Sequence, residues 1–524
     1  MTQPTAHSAG IWKKATRPQN LVLLIFAPFF FLAIAHVVFL IRAVGVPNDT
    51  TYPEAASVYS FLTTLHTGNL YADPFQPPLN IQTYGPFFYL VGAVLAKMAH
   101  GNSMRTTELA RLASLFSFLG SVALLGFLCL KLEGRKMQAA IVMVLGLACA
   151  YAVPISASAR PDALSIFFIV AALTVYCQAN GRTQFFLWAG VLGSLSILTK
   201  QSTAPVFFAL LIDTLIAMKF RNTFALIAGS IPVPAVLLSS LWLRHEPFAA
   251  NFSALGHAVY SWPDAIPSAI ACLRINQIAI ILIFIALLGI RLDWRKEKYR
   301  PILLAALFAL LSSVFALANI GGAGNYMMLP WLLAVLFVPS GLVRIEQWTR
   351  HSAAVPLAFT LLGTFLVIHQ RDLLPLKLPL SLDTEGLDKL NMLSNSAYLE
   401  IHSRQPELLD PNFYDQLAIR KAFSFSPVLA RIDAEQYDLI LIVGEDTKAG
   451  ADFVVANFRG SSHWGGDTVA EMNSHYRPLC EVPGNLALVP KDRAGAPQAA
   501  VIARIFRQPC NPTSRTLKIA PGAR

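Results

Sequence analysis

The stretch Leu21–Ile41, LVLLIFAPFFFLAIAHVVFLI, holds no Asp, Glu, Lys or Arg, and it is followed closely by Pro47-Asn48-Asp49-Thr50-Thr51-Tyr52-Pro53-Glu54. A bilayer core takes ~20 apolar residues in helical form. The first stretch therefore reads as a membrane span, and the second as the loop that leaves it. Lys13, Lys14 and Arg17 precede the span. The apolar run is too long for the core of a cleavable signal and has no small-residue cleavage site, so it reads as a retained anchor with its N-terminus in the cytoplasm. Asp49, Tyr52 and Glu54 then lie at the far mouth of the bundle, where a carboxylate can serve as a general base on a lipid-linked substrate.

Composition supports this reading over the whole chain. Of 524 residues, 55% are hydrophobic and 14% charged, and mean hydropathy is +0.52. Soluble domains carry roughly 25% charged residues. The formal charge of +11 does not indicate nucleic-acid binding. Its cations fall between apolar stretches, where they set topology and meet anionic lipid headgroups.

Basic clusters at Lys131–Lys136, Lys219–Arg221 and Arg291–Arg300, with a weaker one at Arg344–Arg350, order the spans. They read as 20–42, 112–130, 138–157, 163–180, 184–198, 204–218, 222–243, 275–290, 301–319, 327–343 and 354–369. The expected fold is thus a polytopic α-helical membrane protein of about eleven transmembrane helices. Tyr84–Ala99 is short and opens with Gly85-Pro86. It is expected to lie in, or dip into, the outer interface within a long first outer loop of residues 43–111.

The chain is expected to divide into a transmembrane module, 1–371, and a small α/β domain outside the membrane, 372–524. Tyr437–Val443 and Phe453–Phe458 read as strands. Cys129, Cys149, Cys177 and Cys272 sit in or beside apolar segments and read as packing residues. Cys480 and Cys510 lie in the polar region and would pair as a disulfide if that region faces an oxidising compartment.

The same topology brings Arg160-Pro161-Asp162, Lys200-Gln201-Ser202, the loop 244–274 and Gly321–Tyr326 to the face that holds Asp49 and Glu54. Ionisable groups at membrane depth are costly, and their one-sided clustering points to function. His245 and His257 have no Cys or carboxylate at metal-ligand spacing, so no metal site is assigned from the sequence.

Taken in order, these segments resemble the GT-C superfamily of membrane glycosyltransferases, with protein O-mannosyltransferases and bacterial aminoarabinose transferases as the nearest likenesses. The resemblance rests on Asn48-Asp49, Tyr52-Pro53-Glu54, Gly68-Asn69-Leu70-Tyr71, Tyr84-Gly85-Pro86-Phe87 and Arg111. Further along it rests on Arg160-Pro161-Asp162, Leu198-Thr199-Lys200-Gln201 and Gly324-Asn325-Tyr326. It covers roughly residues 20–345. Asn48 stands where the family's acidic pair begins, leaving Asp49 to carry that role. Thr83-Tyr84-Gly85-Pro86 replaces the Glu-Lys-Pro-Pro of the aminoarabinose enzymes, so their metal-binding arrangement is not carried over.

The resemblance implies an inverting enzyme of the bacterial inner membrane. Such an enzyme takes a sugar from a polyprenyl-phosphate donor to a hydroxyl of a glycan, lipid or protein acceptor on the periplasmic face, where the C-terminal domain would lie. A divalent metal is compatible with it. Asp49 is the first candidate for the base and Glu54 the second; the plain alternatives are a helix cap and a solvated loop charge. Arg111, Arg160 and Lys200 are candidates for the phosphate, the alternatives being an ion pair of Arg160 with Asp162 and headgroup contacts for the other two. Tyr84, Asn325 and Tyr326 are candidates for the sugar pocket, although tyrosines also anchor at interfaces, and Asp162 and Gln201 are further candidates for binding substrate. The rival class is a transporter or flippase, for which inverted repeats would be expected and none is seen.

Overall fold

The computed structural model describes residues 18–51, 54–258 save 150 and 154, 298–319, 324–342, 382–443 save 395, 466–482 and 485–513, with shorter stretches at 260–263, 266–267, 270, 286–287, 364, 452–455, 457–458, 461–462 and 516–519. Tyr52, nearly all of the expected spans 275–290 and 354–369, the cluster Arg344–Arg350 and Cys272 lie outside the described residues.

The first apolar stretch forms α1 (Pro18–Val44). Leu32, Leu40 and Ala43 face the bundle, whereas Phe31 and Ile41 are 69% and 59% exposed. So much bare apolar surface is stable in lipid and costly in water. The outer loop that follows is built of two helices, α2 (Glu54–Thr67) and α3 (Pro86–Met98). With 13 residues α3 is about 20 Å long, too short for a ~30 Å hydrocarbon core.

Next comes α4 (Ser103–Glu133), capped by the Asn102 side chain on Arg105 N–H and ended by Gly134 in the left-handed region. The second span was expected to start at 112. It starts a full nine residues earlier because the Asn102 cap stops the loop there, so Arg111 lies two turns inside the helix. After α5 (Lys136–Leu147) the chain leaves helical form, whereas the expected span continued to 157. Residues 155–159 are nevertheless buried. Irregular backbone at membrane depth survives where protein covers it, and here Ser114 Oγ donates to Ser158 O at 2.7 Å.

The bundle continues with α6 (Asp162–Cys177), α7 (Thr183–Thr199), α8 (Ala204–Ile216), α9 (Phe220–Ser230), α10 (Pro232–Leu243), a short α11 (Phe248–Gly256), α12 (Arg300–Leu317) and α13 (Met328–Ala334). Five helices among the described residues are long and apolar enough to cross a membrane: Ala27–Val44, Ser103–Glu133, Phe220–Leu243, Arg300–Leu317 and Gly324–Leu342. The other expected spans within the described residues appear as shorter apolar helices. Helices α7 and α9 touch backbone to backbone at Gly190 and Gly229: a Cβ on Gly229 would lie 2.0 Å from Leu187 O. Small residues give membrane helices this close approach.

Alternating directions send the chain ends of these helices to two faces. One face carries Arg111, Asp162, Lys200 and Asn325. The other carries Asp213 and Arg300, paired at 2.5 Å, with Tyr176 Oη donating to Asp213 at 2.6 Å.

Beyond the membrane helices, five strands form one sheet in the order β1-β2-β7-β6-β8: β1 (Met392–Ser394), β2 (Leu439–Val443), β6 (Tyr476–Val482), β7 (Asn485–Pro490) and β8 (Asn511–Pro512). The two expected strand segments are strands: Tyr437–Val443 contains β2, and Phe453–Phe458 contains parts of β3 (Asp452–Val455) and β4 (Asn457–Phe458). Helices α14 (Ala397–Glu400), α15 (Pro411–Ile419), α16 (Ser426–Asp433), α17 (Gly466–His475) and α18 (Ala496–Phe506) complete this α/β region. Cys480 and Cys510 form a disulfide with Cα atoms 5.4 Å apart, while Cys129 and Cys149 are free and buried.

The region is sewn to the outer loop. Leu79 N donates to Glu407 O at 2.7 Å and Leu409 N to Leu79 O at 2.9 Å. Leu79, Ile81 and Ala254 share a core with Leu408 and Tyr414, and Ala55 shares another with Ala397 and Tyr398.

Candidate functional site

The loop 47–51 is organised from beneath by a buried ion pair. Glu54 opens α2 and Arg111 lies in α4, both with 0% side-chain exposure. The guanidinium grips the carboxylate with two contacts, Nε to Oε1 at 2.8 Å and Nη2 to Oε2 at 2.7 Å. Its remaining donors reach the carbonyls of Ala43, Val44, Val46 and Asn48. These are the open end of α1 and the turn after it, where orphan carbonyls need donors. Glu54 also accepts from Thr50 N at 2.8 Å, Thr50 Oγ at 3.0 Å and Ala159 N at 2.6 Å. Five donors saturate this carboxylate, and Arg111 is equally committed, so the pair holds the loop in shape.

Asp49 differs. It is only half-buried, and the N–H of Ala55 in the first turn of α2 favours its ionised form. Surrounding protein disfavours the charge, and the Glu54 carboxylate adds to this. Arg111 opposes, and the net effect holds the Asp49 carboxyl well above the usual carboxylate range. The cap-like contact and the tuned acidity occur in the same residue.

A second cluster adjoins the first through residues 157–162. Thr50 Oγ donates to Ala157 O at 3.2 Å, and Ala159 N–H is held by Glu54. Arg160 follows at once, and its Nε lies 3.2 Å from Asp162 Oδ2. Asp162, at the start of α6, is 4% exposed. Its Oδ1 takes Lys200 Nζ at 2.6 Å and Asn325 Nδ2 at 2.8 Å. Lys200 stands 4.6 Å from the centre of the Tyr326 ring, a cation–π contact. The Asn325 Oδ1 is buried and has no partner among the described residues.

Tyr84 joins this cluster: Arg160, Lys200, Asp162 and Tyr326 all act on its phenol electrostatically. Burial is the larger influence and raises the phenol, which stays a neutral hydrogen-bond donor. Its place is set by backbone. Gly85 N donates to Thr199 O at 3.2 Å and Gln201 Nε2 to Thr83 O at 2.9 Å. A Cβ on Gly85 would sit 2.0 Å from Leu198 O, so only glycine permits this approach.

The fold thus gathers Tyr84, Arg160, Lys200, Asn325 and Tyr326 around the Asp162 carboxylate, with Gln201 bracing the Tyr84 segment. Arg111 and Glu54 lie beneath Asp49. The Arg160–Asp162 pair, foreseen as the plain alternative for Arg160, is present and shared with Lys200.

Several contributors carry no motif signal. Thr50 and the backbone of residues 157–159 were invisible in a sequence whose information there is generic. Glu246 Oε2 accepts from Leu70 N at 2.7 Å and Tyr71 N at 3.0 Å, and Asn251 Oδ1 from Gln82 N at 2.8 Å. Those residues tie the 244–256 segment to the outer loop.

His245 and His257 stay outside any metal-type group among the described residues. One such group exists there: Asp433, Glu471 and His475 in the C-terminal region, with His475 Nε2 at 3.1 Å from Asp433 Oδ1 and 3.5 Å from Glu471 Oε2. One imidazole and two carboxylates suit a divalent metal. The same atoms also satisfy one another as a surface ion cluster.

Neither a protein-family model nor any curated protein sequence matches the chain. Solved structures do match. ArnT from Cupriavidus metallidurans in the apo state aligns with a TM-score of 0.54 at 11% identity, covering 87% of this chain and 97% of that one. ArnT bound to undecaprenyl phosphate aligns with a TM-score of 0.53 at 11% identity, over 87% and 97% of the two chains. The Archaeoglobus fulgidus oligosaccharyltransferase in complex with Zn and sulfate aligns with a TM-score of 0.53 at 12% identity, over 88% of this chain and 73% of that one. At such identities the likeness is one of fold alone: this chain has the polytopic membrane fold of ArnT and of the archaeal oligosaccharyltransferase.

Proposed function

We propose that the protein is a membrane glycosyltransferase. It moves a sugar from a polyprenyl-phosphate donor to a hydroxyl of a glycan, lipid or protein acceptor at the face of the bundle that carries Asp49. The observation that carries this reading is the cluster of Arg160, Lys200, Asn325, Tyr84 and Tyr326 around Asp162, set beside a tuned Asp49.

In the proposed reaction the acceptor oxygen attacks the anomeric carbon while its proton passes to Asp49. The bond from that carbon to the phosphate oxygen breaks, and its electron pair leaves with the polyprenyl phosphate. Attack opposite the leaving group inverts the anomeric centre. Arg160 and Lys200, both held by Asp162, are the cations this reading turns toward the phosphate oxygen on which charge develops. Asp162 keeps both cations in place. Tyr84, Tyr326 and the Asn325 Oδ1, unpartnered among the described residues, offer hydroxyl, ring and amide contacts for a sugar. Glu54 and Arg111 act by holding the loop.

In this reading the active face is periplasmic, in a bacterial inner membrane with the N-terminus cytoplasmic. The basic clusters at Lys131–Lys136 and Lys219–Arg221, at the face opposite Asp49, support that orientation. The disulfide of the C-terminal region supports its placement in an oxidising compartment.

The test is turnover of radiolabelled polyprenyl-phosphate sugars by purified protein with membrane extract as acceptor. Wild type should consume a donor, and Asp49→Asn should lose on the order of 10²-fold or more in rate. A wild-type protein that consumes none, but moves a lipid-linked substrate across vesicles, would establish the transporter reading instead.

A further inference from the structure

Two helices of the C-terminal region converge on one imidazole. Asp433 closes α16, and Glu471 and His475 stand four residues apart in α17, so the latter two share one face of that helix. The helices are held together from within. Val428 and Ile432 of α16 share a core with Val469 and Met472 of α17, and all four are buried. The end of α17 is fixed as well: His475 O accepts from Lys491 N at 3.1 Å, and Ser474 O from Lys491 Nζ at 2.6 Å. Apolar packing on one side thus sets the distances among the polar groups on the other.

Those distances are His475 Nε2 to Asp433 Oδ1 at 3.1 Å and to Glu471 Oε2 at 3.5 Å, with all three ligand atoms within 4.8 Å of one another. Around a zinc ion with bonds of about 2.0–2.1 Å, tetrahedral ligand atoms lie roughly 3.3–3.4 Å apart. Two edges already have close to this length, and the exposed Asp433 carboxyl closes the third by turning about its own χ angles. Charge favours the same occupant. Two carboxylates face a single imidazole, which offers at most one positive charge, whereas a divalent cation matches both. Beside them the Glu435 carboxyl, hydrogen-bonded to that of Asp492, acts on His475 electrostatically. Arg493 also acts on Glu435, and it is itself paired with Asp438 at 2.8 Å. An imidazole nitrogen among carboxylates selects first-row metals such as zinc, because Mg2+ and Ca2+ prefer all-oxygen shells.

We propose that Asp433, Glu471 and His475 form a zinc-type divalent metal site that clamps α17 to the end of α16, with water completing the shell. The three residues belong to neither the Asp49 nor the Asp162 cluster, so the site stands apart from the sugar-transfer reading.

The test uses the full-length protein in detergent, stripped with a chelator and dialysed against zinc chloride in the micromolar range. Bound metal is counted by inductively coupled plasma mass spectrometry. Wild type should hold one zinc per chain and should melt at a higher temperature with zinc than without it. Outer partners of metal ligands are worth about 10–100-fold in affinity, so losing a ligand in His475→Ala, Glu471→Gln or Asp433→Asn should weaken binding at least about 10-fold. The zinc-dependent rise in melting temperature should vanish with it. Glu471→Gln and Asp433→Asn keep side-chain volume at accessible positions, and they carry the comparison if His475→Ala does not fold. A wild type that binds no zinc, binds it no more tightly than the variants, or releases it to millimolar Mg2+ or Ca2+ would overturn the proposal and leave a surface ion cluster.

Discussion

Glu54→Gln is expected to weaken the fold at the junction of α1, α2 and α4 before it alters any chemistry. The wild-type carboxylate is fully buried and takes five donors between 2.6 and 3.0 Å. A glutamine preserves its outline but turns one oxygen into an NH2 that points at donors, and it leaves the Arg111 guanidinium buried without a counter-charge. Removing one member of a buried pair costs about 3–5 kcal/mol. The stranded donors fall within the same loss, so a total near 4 kcal/mol is expected.

Unfolding free energies in mixed micelles would measure it, with Arg111→Met and the double variant Glu54→Gln/Arg111→Met completing a cycle. The double variant removes both charges and should recover part of the loss. Recovery stays incomplete because four carbonyls at Ala43, Val44, Val46 and Asn48 lose their donor. A coupling energy of about 2–3 kcal/mol is expected. A Glu54→Gln protein within about 1 kcal/mol of wild type that has lost turnover would refute the reasoning and return Glu54 to the role of base.

Other outcomes follow from the same geometry. Because the Asp49 carboxyl is raised and the ionised form is the proposed base, kcat/KM should climb with pH until well past the usual carboxylate range. By linkage, a group with a raised folded value loses stability as pH rises from its unfolded value through its folded one, so Asp49→Asn should flatten that slope in unfolding curves. Lys200→Met leaves Asp162 with one cation and should raise the donor KM at least 10-fold, measured by initial rates across donor concentration. Gly85→Ala must push the 83–85 segment off Leu198, 2.0 Å from the added Cβ, and should lower turnover with every polar site residue intact. Reducing the Cys480–Cys510 bond, which closes 30 residues, should destabilise the C-terminal region by about 3–4 kcal/mol in denaturant melts under reducing conditions.

Much of this was legible because membranes impose simple rules on a chain. Apolar length marks the helices, basic clusters sort the loops, and those two facts alone place Asp49, Arg160, Lys200 and Asn325 at one face. Asn102 and Gly134 bounding α4 could be read as cap signals. The shorter helices were less legible, since a run such as 138–157 looks continuous in hydropathy while its second half is irregular.

The residue sequence by itself therefore determined the membrane class, the gathering of the polar groups on one face, two strand segments of the C-terminal region and the pairing open to Cys480 and Cys510. The folded chain decided what each polar group does. Whether Arg111 meets a lipid, a phosphate or a carboxylate depends on which helix start lies beside it, and Glu54 is 57 residues away in sequence. Whether the first turn of α2 is covered depends on a far later helix, Ala397–Glu400, which shares a core with Ala55. Local patterns record burial and helical period because neighbours along the chain create them. Charge partners and water exclusion arise between distant segments, and only packing in three dimensions brings those together.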